Sequence, residues 1–316
     1  MNHDDQDDRT AGVLVGTATG DALGAGYEFE VPPQGPVGMI GGGLGPFAPG
    51  EWTDDTAMAI AVAQVLATGR LDLPAIGERF LDWYRADPPD AGNLTRAVLG
   101  PARTGAELPA IAARVFAERP RGAAGNGALM RTAAVALAHP GDVEALASTA
   151  RAVAELTHAD PLAGDACVLW CVAIDRARFE DRLDGVHDGL ELLPTSRRAR
   201  WREWLGAAET DPPASFTPNG FTVTALQAAH AAVHHTPIPV DAPAGHLAAA
   251  LTAAVRIGDD TDTVAAIAGG LLGARWGASA VPGAWREVLH GWPGLDADGL
   301  TELAREVAGT ASGPPR

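Results

Sequence analysis

Two apolar stretches near opposite ends of the chain each begin directly after a short acidic segment. Residues 57–66 follow Glu51-Trp52-Thr53-Asp54-Asp55-Thr56, and residues 264–272 follow Ile257-Gly258-Asp259-Asp260-Thr261-Asp262-Thr263. The pattern predicts two buried helices, the first with Thr53 as its N-cap. A carboxylate near a helix N-terminus gains about 0.3–1 kcal/mol, which explains one aspartate at each helix start but hardly three.

Glycines recur every four residues within an apolar stretch over residues 11–25, at Gly12, Gly16 and Gly20. This spacing places them on one face of a helix, where each costs about 1 kcal/mol relative to alanine. Close packing against another backbone explains why such a cost is tolerated. We therefore predict a central helix over this stretch.

Further helices are predicted over residues 54–67, 74–86 and 132–138, and a surface helix followed by a loop over 195–218. Residues 31–50 are rich in proline and glycine, which excludes a regular helix or a central strand. They form either a flap over a site or a plain connector. Because runs of β-branched and aromatic residues are scarce, we predict a nearly all-helical, all-α fold.

The chain carries a formal net charge of −17, which would repel nucleic acid and anionic membranes. Its acidic start lacks the basic and apolar parts of a signal peptide, and no apolar run approaches the roughly 20 residues that span a bilayer. We expect a cytoplasmic monomer without nucleic-acid or membrane partners. Its expected organisation is an acidic tail over 1–10, one compact domain over 11–308 and a disordered tail over 309–316.

If both acidic helix starts point at one place, carboxylates from the two segments converge. The residues concerned are Asp54, Asp55, Asp259, Asp260 and Asp262. Carboxylates packed this closely do not all stay ionised in a dry site without cations. Oxygen ligands suit hard divalent ions such as Mg²⁺ or Mn²⁺. The alternative is two ordinary acidic helix starts that never meet, and spacing alone leaves both open.

The acidic segments resemble motifs of the ADP-ribosylglycohydrolase family, whose bacterial type is the dinitrogenase reductase-activating glycohydrolase. The resemblance pairs Thr53-Asp54-Asp55-Thr56 with a downstream Gly258-x-Asp260-Thr261-Asp262-Thr263. Three more segments support it, and together they span most of residues 11–276. These segments are Gly20 to Glu28, Gly125-Asn126-Gly127-x-x-Met130-Arg131, and Thr157-His158.

The resemblance implies two Mg²⁺ or Mn²⁺ ions at the helix N-termini, and it assigns roles to particular residues. The implied metal ligands are Thr53, Asp54, Asp55, Asp260, Asp262 and Thr263. The implied proton-transfer residues are Glu28 and Asp55. The implied contacts to ADP-ribose are Gly125, Asn126, Gly127 and His158. Without the resemblance, Glu28 is typical of a surface charge, the Gly-Asn-Gly segment is a weak signal, and His158 is typical of a helix cap.

The implied reaction is metal-dependent hydrolysis of the bond between ADP-ribose and a protein side chain, with arginine as the expected acceptor. The modified protein is then the substrate and ADP-ribose the product. Two alternatives stay open: a hydrolase of serine-linked or free ADP-ribose derivatives, and a non-catalytic relative that binds ADP-ribose or has a structural role. The presence of every expected ligand favours an enzyme.

Predictions also follow for two aspartates and one loop. We expect Asp21 to be a structural residue that accepts hydrogen bonds from backbone N–H groups. Asp259 stands where the family usually has glycine, and aspartate tolerates the left-handed backbone region, so we expect the backbone turn to be kept. Because the family forms its site without this carboxylate, we expect the side chain to point away from the ions; the alternative is an added ligand that tightens metal binding. Residues 87–95 resemble a family loop near the pocket, although a turn before a helix start at Asn93 explains them equally well.

Overall fold

The computed structural model describes residues 3–120 and 122–311. Its regular structure is almost entirely helical, which confirms the predicted all-α fold. A short antiparallel hairpin near the C-terminus consists of β1, His290–Gly291, and β2, Leu295–Asp296. The helices are α1 His3–Gly24, α2 Asp54–Leu66, α3 Leu73–Arg85, α4 Asn93–Leu99, α5 Leu108–Glu118, α6 Val135–Ala138, α7 Val143–Glu155, α8 Pro161–Glu180, α9 Thr195–Thr210, α10 Thr222–His235, α11 His246–Val255, α12 Thr261–Trp276, α13 Gly283–Arg286 and α14 Ala297–Ala311.

The antiparallel pair α1 and α12 forms the centre of the molecule. Gly12 lies against the backbone of Gly273, and Gly16 lies against that of Gly269. A Cβ atom on any of these four glycines would overlap the backbone of the opposite helix. The glycine face is therefore a close backbone contact, and the predicted central helix is confirmed, with its residues from position 10 to 24 all buried.

The antiparallel arrangement brings three helix ends together. At one end of the pair, Gly24 of α1 touches the backbone of Asp262 in the first turn of α12. The N-terminus of α2 lies at the same end, because its first residues bond to the side chain of Asp21 near the end of α1. Both acidic segments are thereby carried to one place.

The first helix begins at His3, inside residues 1–10, which were predicted to be an acidic tail. Contacts with distant parts of the chain hold this stretch in place. The Asp8 carboxylate accepts a hydrogen bond of 3.0 Å from the backbone of Ser279, and the Asp7 carboxylate lies 2.6 Å from the Arg305 guanidinium. Helix α14 likewise continues into the predicted tail as far as Ala311, while residues 1, 2 and 312–316 lie outside the described residues.

Several element boundaries differ modestly from the predictions. Helices α2 and α3 agree closely with the predicted helices over 54–67 and 74–86. The predicted helix over 132–138 is helical only from Val135, after a 3₁₀ turn at Asn126–Ala128. Residues 31–50 form a loop with isolated bridges, as expected. No helix among the described residues is both long enough and apolar enough to cross a membrane.

Candidate active site

Asp21 organises the start of α2 from a neighbouring helix. One of its carboxylate oxygens accepts hydrogen bonds from Thr53 N and Thr53 Oγ1, both of 2.9 Å. The other accepts from Thr56 N at 2.9 Å and Thr56 Oγ1 at 2.6 Å. The expected structural role of Asp21 is confirmed. Thr53 is the N-cap residue by position, but its side chain accepts no hydrogen bond from a backbone N–H group of α2, and Asp21 satisfies that of Thr56 instead.

The Thr53 hydroxyl instead points into the carboxylate group that joins the two acidic segments. It lies 3.1 Å from Asp55 Oδ2 and 3.3 Å from Asp262 Oδ2. The Thr263 hydroxyl lies 3.5 Å from Asp55 Oδ2. Residues about 200 positions apart in sequence therefore meet, and the alternative of two separate acidic helix starts is wrong.

Two groups of three carboxylates have geometry suited to metal ions. Asp21, Asp55 and Asp262 form one group, and Glu28, Asp260 and Asp262 form the other. Within each group the candidate ligand oxygens lie within 4.8 Å of one another. Asp262 belongs to both, so the two positions adjoin. The predicted ligands Thr53, Asp54 and Thr263 belong to neither of these two groups but lie beside them.

The acid cluster, defined as Asp21, Glu28, Asp54, Asp55, Asp260 and Asp262, fits divalent cations on its own chemistry. Asp55 Oδ1 is buried and has no hydrogen-bond partner among the described residues. A buried carboxylate oxygen without a donor is costly unless a cation compensates it. The oxygen-only ligand set suits Mg²⁺ or Mn²⁺.

Burial and mutual repulsion alter the protonation of these carboxylates. Burial, together with neighbouring negative charges that include Asp260 and Asp90, raises the pKa of Glu28 to about 9 and that of Asp54 to about 7. Burial raises the pKa of Asp21 to about 6 against the opposing effect of its hydrogen bonds from threonine. The pKa values of Asp55 and Asp262 are also well above the usual range, chiefly because of burial.

A cavity of about 610 Å³ opens onto the acid cluster and also reaches the predicted substrate-binding residues. We call it the glycine cavity. Its lining includes Gly125, Asn126, Gly127, His158, Glu28, Asp54, Asp260, Asp262 and Thr263. Its volume lies within the range of small-ligand sites. Predicted metal ligands and predicted nucleotide contacts thus share one cavity.

His158 is buried and is held as a hydrogen-bond donor. Arg131 donates to the Thr157 hydroxyl at 2.7 Å, and that hydroxyl lies 2.7 Å from His158 Nδ1. Because arginine only donates, the Thr157 hydroxyl keeps its own proton for a hydrogen bond to Nδ1, and in that arrangement the ring proton resides on Nε2. Burial and the charge of Arg131 lower the pKa of His158 to about 3, which keeps the ring neutral.

The glycines of the Gly-Asn-Gly segment make room for the His158 ring. A Cβ atom on Gly125 or on Gly127 would lie 3.3 Å from His158 Nε2. Both glycines and the ring line the glycine cavity. The Nε2–H group is therefore presented at the cavity wall beside backbone that carries no side chains.

Asn126 bonds directly to the acid cluster. Its Nδ2 donates to Asp260 Oδ2 at 2.8 Å and to the backbone oxygen of Asn219 at 3.2 Å. The Asn219 side chain in turn accepts from Asp260 N at 2.9 Å and donates to Gly258 O at 3.1 Å. Sequence reasoning gave Asn219 no role. Its position just before α10 resembles an ordinary turn, and only the tertiary contact reveals that it holds the start of α12.

Asp259 has a backbone φ of 59°, in the left-handed region that aspartate tolerates. Its carbonyl oxygen accepts a hydrogen bond of 2.7 Å from Phe29 N. Its carboxylate belongs to neither candidate ligand group and does not line the glycine cavity. The predicted left-handed backbone is confirmed.

The loop over residues 87–95 lies at the site, as the family resemblance suggested. Asp90 lines the glycine cavity and also a second cavity of about 650 Å³, which lies against the β1–β2 hairpin. We call this second space the hairpin cavity. Asp54 is likewise shared by both cavities. Through Asp54, the acid cluster therefore borders both the glycine cavity and the hairpin cavity.

Comparison with known proteins matches the ADP-ribosylglycohydrolase family model to residues 2–315. The chain belongs to the ADP-ribosylglycohydrolase family. It is 31% identical to the ADP-ribosyl-[dinitrogen reductase] glycohydrolase of Rhodospirillum rubrum, across 89% of this chain and 90% of that protein. It is 30% identical to the ADP-ribosylarginine hydrolase Tri1 of Pseudomonas putida, across 89% of this chain and 74% of that one.

Other ADP-ribosylglycohydrolase relatives extend this comparison. The human ADP-ribosylhydrolase ARH3 is 29% identical, across 78% of this chain and 76% of its own length. A solved structure described as an ADP-ribosylglycohydrolase-related protein complex superposes with a TM-score of 0.74 at 28% identity, and the match covers 98% of this chain and 99% of that one. The family assignment supports an ADP-ribose hydrolase activity, and the acid cluster is its candidate centre.

Proposed function

We propose that this protein is a metal-dependent hydrolase that releases ADP-ribose from modified arginine side chains of proteins. One observation carries the proposal: the glycine cavity joins the acid cluster to the Gly-Asn-Gly segment and His158 in a single space. Two of the similar bacterial proteins are named as acting on ADP-ribosylarginine or ADP-ribosylated dinitrogen reductase, which supports this activity class.

Six residues would hold two Mg²⁺ or Mn²⁺ ions: Thr53, Asp54, Asp55, Asp260, Asp262 and Thr263. When bound, the ions would neutralise the crowded carboxylates and polarise oxygen atoms of the ribose or of water. The remaining chemistry belongs to the side chains of the chain itself.

The residues of the glycine cavity would orient the nucleotide. The neutral His158 donates from Nε2 to an oxygen atom of the substrate, and the small residues Gly125 and Gly127 let the nucleotide approach the backbone closely. Asn126 links this part of the cavity to Asp260. Substrate position and carboxylate position are thereby set together.

Hydrolysis breaks the bond between the anomeric carbon and the arginine nitrogen and forms a bond to a water oxygen. Because the transition state resembles an oxocarbenium ion, the surrounding carboxylates stabilise its positive charge. Glu28 and Asp55 are the proposed proton-transfer residues: one carboxylate takes a proton from water, and the other, as a carboxylic acid, gives a proton to the leaving nitrogen. In the metal-free protein, the raised pKa of Glu28 leaves this carboxyl group protonated at the cavity wall.

The negative charge of nearby carboxylates predicts which amino-acid side chain is the preferred acceptor of ADP-ribose. Asp54 and Asp90 line the space beside the acid cluster into which the leaving group would depart, and negative charge there favours a cationic guanidinium over a neutral hydroxyl. The test compares arginine-linked and serine-linked ADP-ribosyl peptides with Mg²⁺ and with Mn²⁺. We expect faster release from arginine, and loss of turnover after chelation or in Asp262→Ala. Faster release from serine would overturn the arginine assignment, and full activity in metal-free buffer would overturn the metal assignment.

A further inference from the structure

The hairpin cavity adjoins the glycine cavity at two shared carboxylates and does not include the Gly-Asn-Gly segment. Asp54 and Asp90 line both cavities, whereas Thr53 lines only the hairpin cavity and His158 only the glycine cavity. The reacting bond of a substrate that spans both cavities would therefore lie at the shared carboxylates. Each cavity would then receive one of the two products.

Both cavities are lined by five carboxylates, but only the glycine cavity also contains an arginine, and this difference assigns the products. Carboxylates line the hairpin cavity at Glu51, Asp87 and Asp296 as well as at the two shared residues, and its lining contains no arginine. A diphosphate there would face only negative charge. The glycine cavity contains Arg96 and the donor His158, which suit phosphate oxygens. The anionic product fits the glycine cavity, and a cationic product fits the hairpin cavity.

The apolar walls of the hairpin cavity suit a guanidinium in particular. Trp83, Trp292 and Phe47 contribute aromatic surface, and Trp292 remains 44% exposed. A guanidinium is a planar cation that stacks on aromatic rings and pairs with carboxylates. A serine side chain uses neither feature.

The hairpin is fixed to the chain just before the first acidic segment. Trp52 Nε1 donates to Trp292 O at 3.0 Å, Trp52 N donates to His290 O at 3.1 Å, and His290 N donates to Gly50 O at 3.1 Å. The bond at Trp292 uses the backbone oxygen. Its side chain can therefore be removed while the hairpin stays attached beside the acid cluster.

We propose that the hairpin cavity is the acceptor subsite, which binds the arginine side chain and adjoining peptide of the modified protein. This inference rests on the proposed function and adds the surface that recognises the leaving group. Trp292 stacks on the guanidinium or its peptide, and Asp87 supplies charge at the entrance, where its side chain is exposed. Neither residue belongs to the acid cluster.

The test uses Trp292→Ala and Asp87→Asn in the full chain. Asparagine tolerates the φ of 56° at position 87, so the second variant changes charge without straining the backbone. Asp241→Asn is the matched control, because Asp241 is exposed and lines neither cavity. Measurements are kcat/KM for an arginine-linked ADP-ribosyl peptide, inhibition by agmatine, and the Kd of ADP-ribose by calorimetry.

We expect kcat/KM to fall about tenfold in Trp292→Ala and about threefold in Asp87→Asn, with weaker agmatine inhibition in both. The ADP-ribose Kd should stay within about twofold in both variants, and the control should resemble the wild type. Normal ADP-ribose binding would also show that each variant is folded. Unchanged kcat/KM in Asp87→Asn and folded Trp292→Ala, or weakened ADP-ribose binding instead, would overturn the acceptor assignment.

Failure of the proposed function would look different. A wild-type enzyme that cleaves only serine-linked substrate removes the basis for a guanidinium site, whatever the variants do. A wild-type enzyme that cleaves the arginine-linked peptide while both variants do so equally well contradicts only the hairpin cavity assignment.

Discussion

At the scale of single residues, the protonation of His158 is set by a neighbour rather than by its own exposure. The Thr157 hydroxyl accepts a hydrogen bond from Arg131 and keeps its own proton for a hydrogen bond to Nδ1. The ring then has its N–H group on the cavity side. A histidine at a helix boundary is usually a cap or a surface residue, and here a second residue makes it a donor.

Thr157→Val should weaken ADP-ribose binding about fivefold, because valine keeps the shape of threonine but no longer fixes the proton on Nε2. The loss corresponds to about 1 kcal/mol, the net value of one hydrogen bond. Calorimetry would give the affinity, and nitrogen NMR of the ring would give the proton position. Thr157→Ser is the control and should behave as the wild type. Unchanged affinity despite a moved proton would contradict the donor role.

Asp259 offers a second prediction at this scale. Its carboxylate lies outside both candidate ligand groups, and glycine accepts its left-handed backbone without strain. Asp259→Gly should therefore change metal affinity and turnover by no more than about threefold, less than 1 kcal/mol. Metal titration and steady-state kinetics are the measurements. A loss of metal affinity of tenfold or more would make Asp259 a ligand.

At the scale of secondary-structure elements, the contact between α1 and α12 determines where the acidic residues lie. A methyl group on Gly16 would overlap the carbonyl oxygen of Gly269, which belongs to the backbone and cannot rotate away. The two helices would have to separate. Repacking of side chains cannot relieve this overlap, because it is with backbone atoms.

Gly16→Ala should lower the free energy of unfolding by about 2–3 kcal/mol, since overpacking outweighs the better helix propensity of alanine. Gly206→Ala provides a matched control, because Gly206 lies within α9 and a Cβ atom there meets open space. The control should gain about 0.5–1 kcal/mol. Urea denaturation of both variants measures the difference. Equal effects would mean that the backbone contact is not what constrains α1.

Helix boundaries and the glycine face follow from local sequence pattern, which is why they were predictable. The repeat of Gly12, Gly16 and Gly20 needs no knowledge of the partner helix to indicate close packing. The bond from Trp52 to Trp292 and the role of Asn219 were not predictable. Both join segments far apart in sequence, and no local spacing indicates which distant residues will meet.

The site itself was predictable to the extent that its residues recur in motifs. The family resemblance indicated Glu28 and His158, which sequence pattern alone would have placed on the surface. The structure buries both and gives each an altered pKa. Burial depends on the whole fold, so a short sequence window around either residue contains no sign of it. The prediction of a tail over 1–10 failed for a similar reason. These residues begin a helix at His3 that is held by contacts with residues beyond position 270.

At the scale of the whole molecule, the acid cluster links stability to pH and to metal. Raised pKa values mean that the folded, metal-free protein retains protons that the unfolded chain has already released. The associated stability is fully present below the ordinary carboxylate pKa. It is lost as pH rises through about 6 for Asp21, about 7 for Asp54 and about 9 for Glu28.

The increase in Tm on adding Mg²⁺ should therefore grow as pH rises from about 5.5 to about 8.5, because protons no longer compete for the carboxylates. Thermal unfolding with Mg²⁺ and with chelator at each pH measures this difference. Asp262→Asn should show a smaller increase at the higher pH, since Asp262 belongs to both ligand groups. An increase that is independent of pH would argue against ion binding by these carboxylates.

The backbone contact between α1 and α12 also has a consequence for ion size. Where two helices touch through glycine, no flexible side chain lies between them to lengthen or shorten their separation. Asp262 lies in the first turn of α12, and Asp21 lies near the end of α1. The distance between their carboxylate oxygen atoms is therefore nearly fixed. Mg²⁺ requires oxygen ligands at about 2.0–2.1 Å, whereas Ca²⁺ takes about 2.3–2.6 Å and more of them. A rigid frame of this kind discriminates by ionic radius, and a methyl group that forces the helices apart would shift its selectivity towards the larger ion.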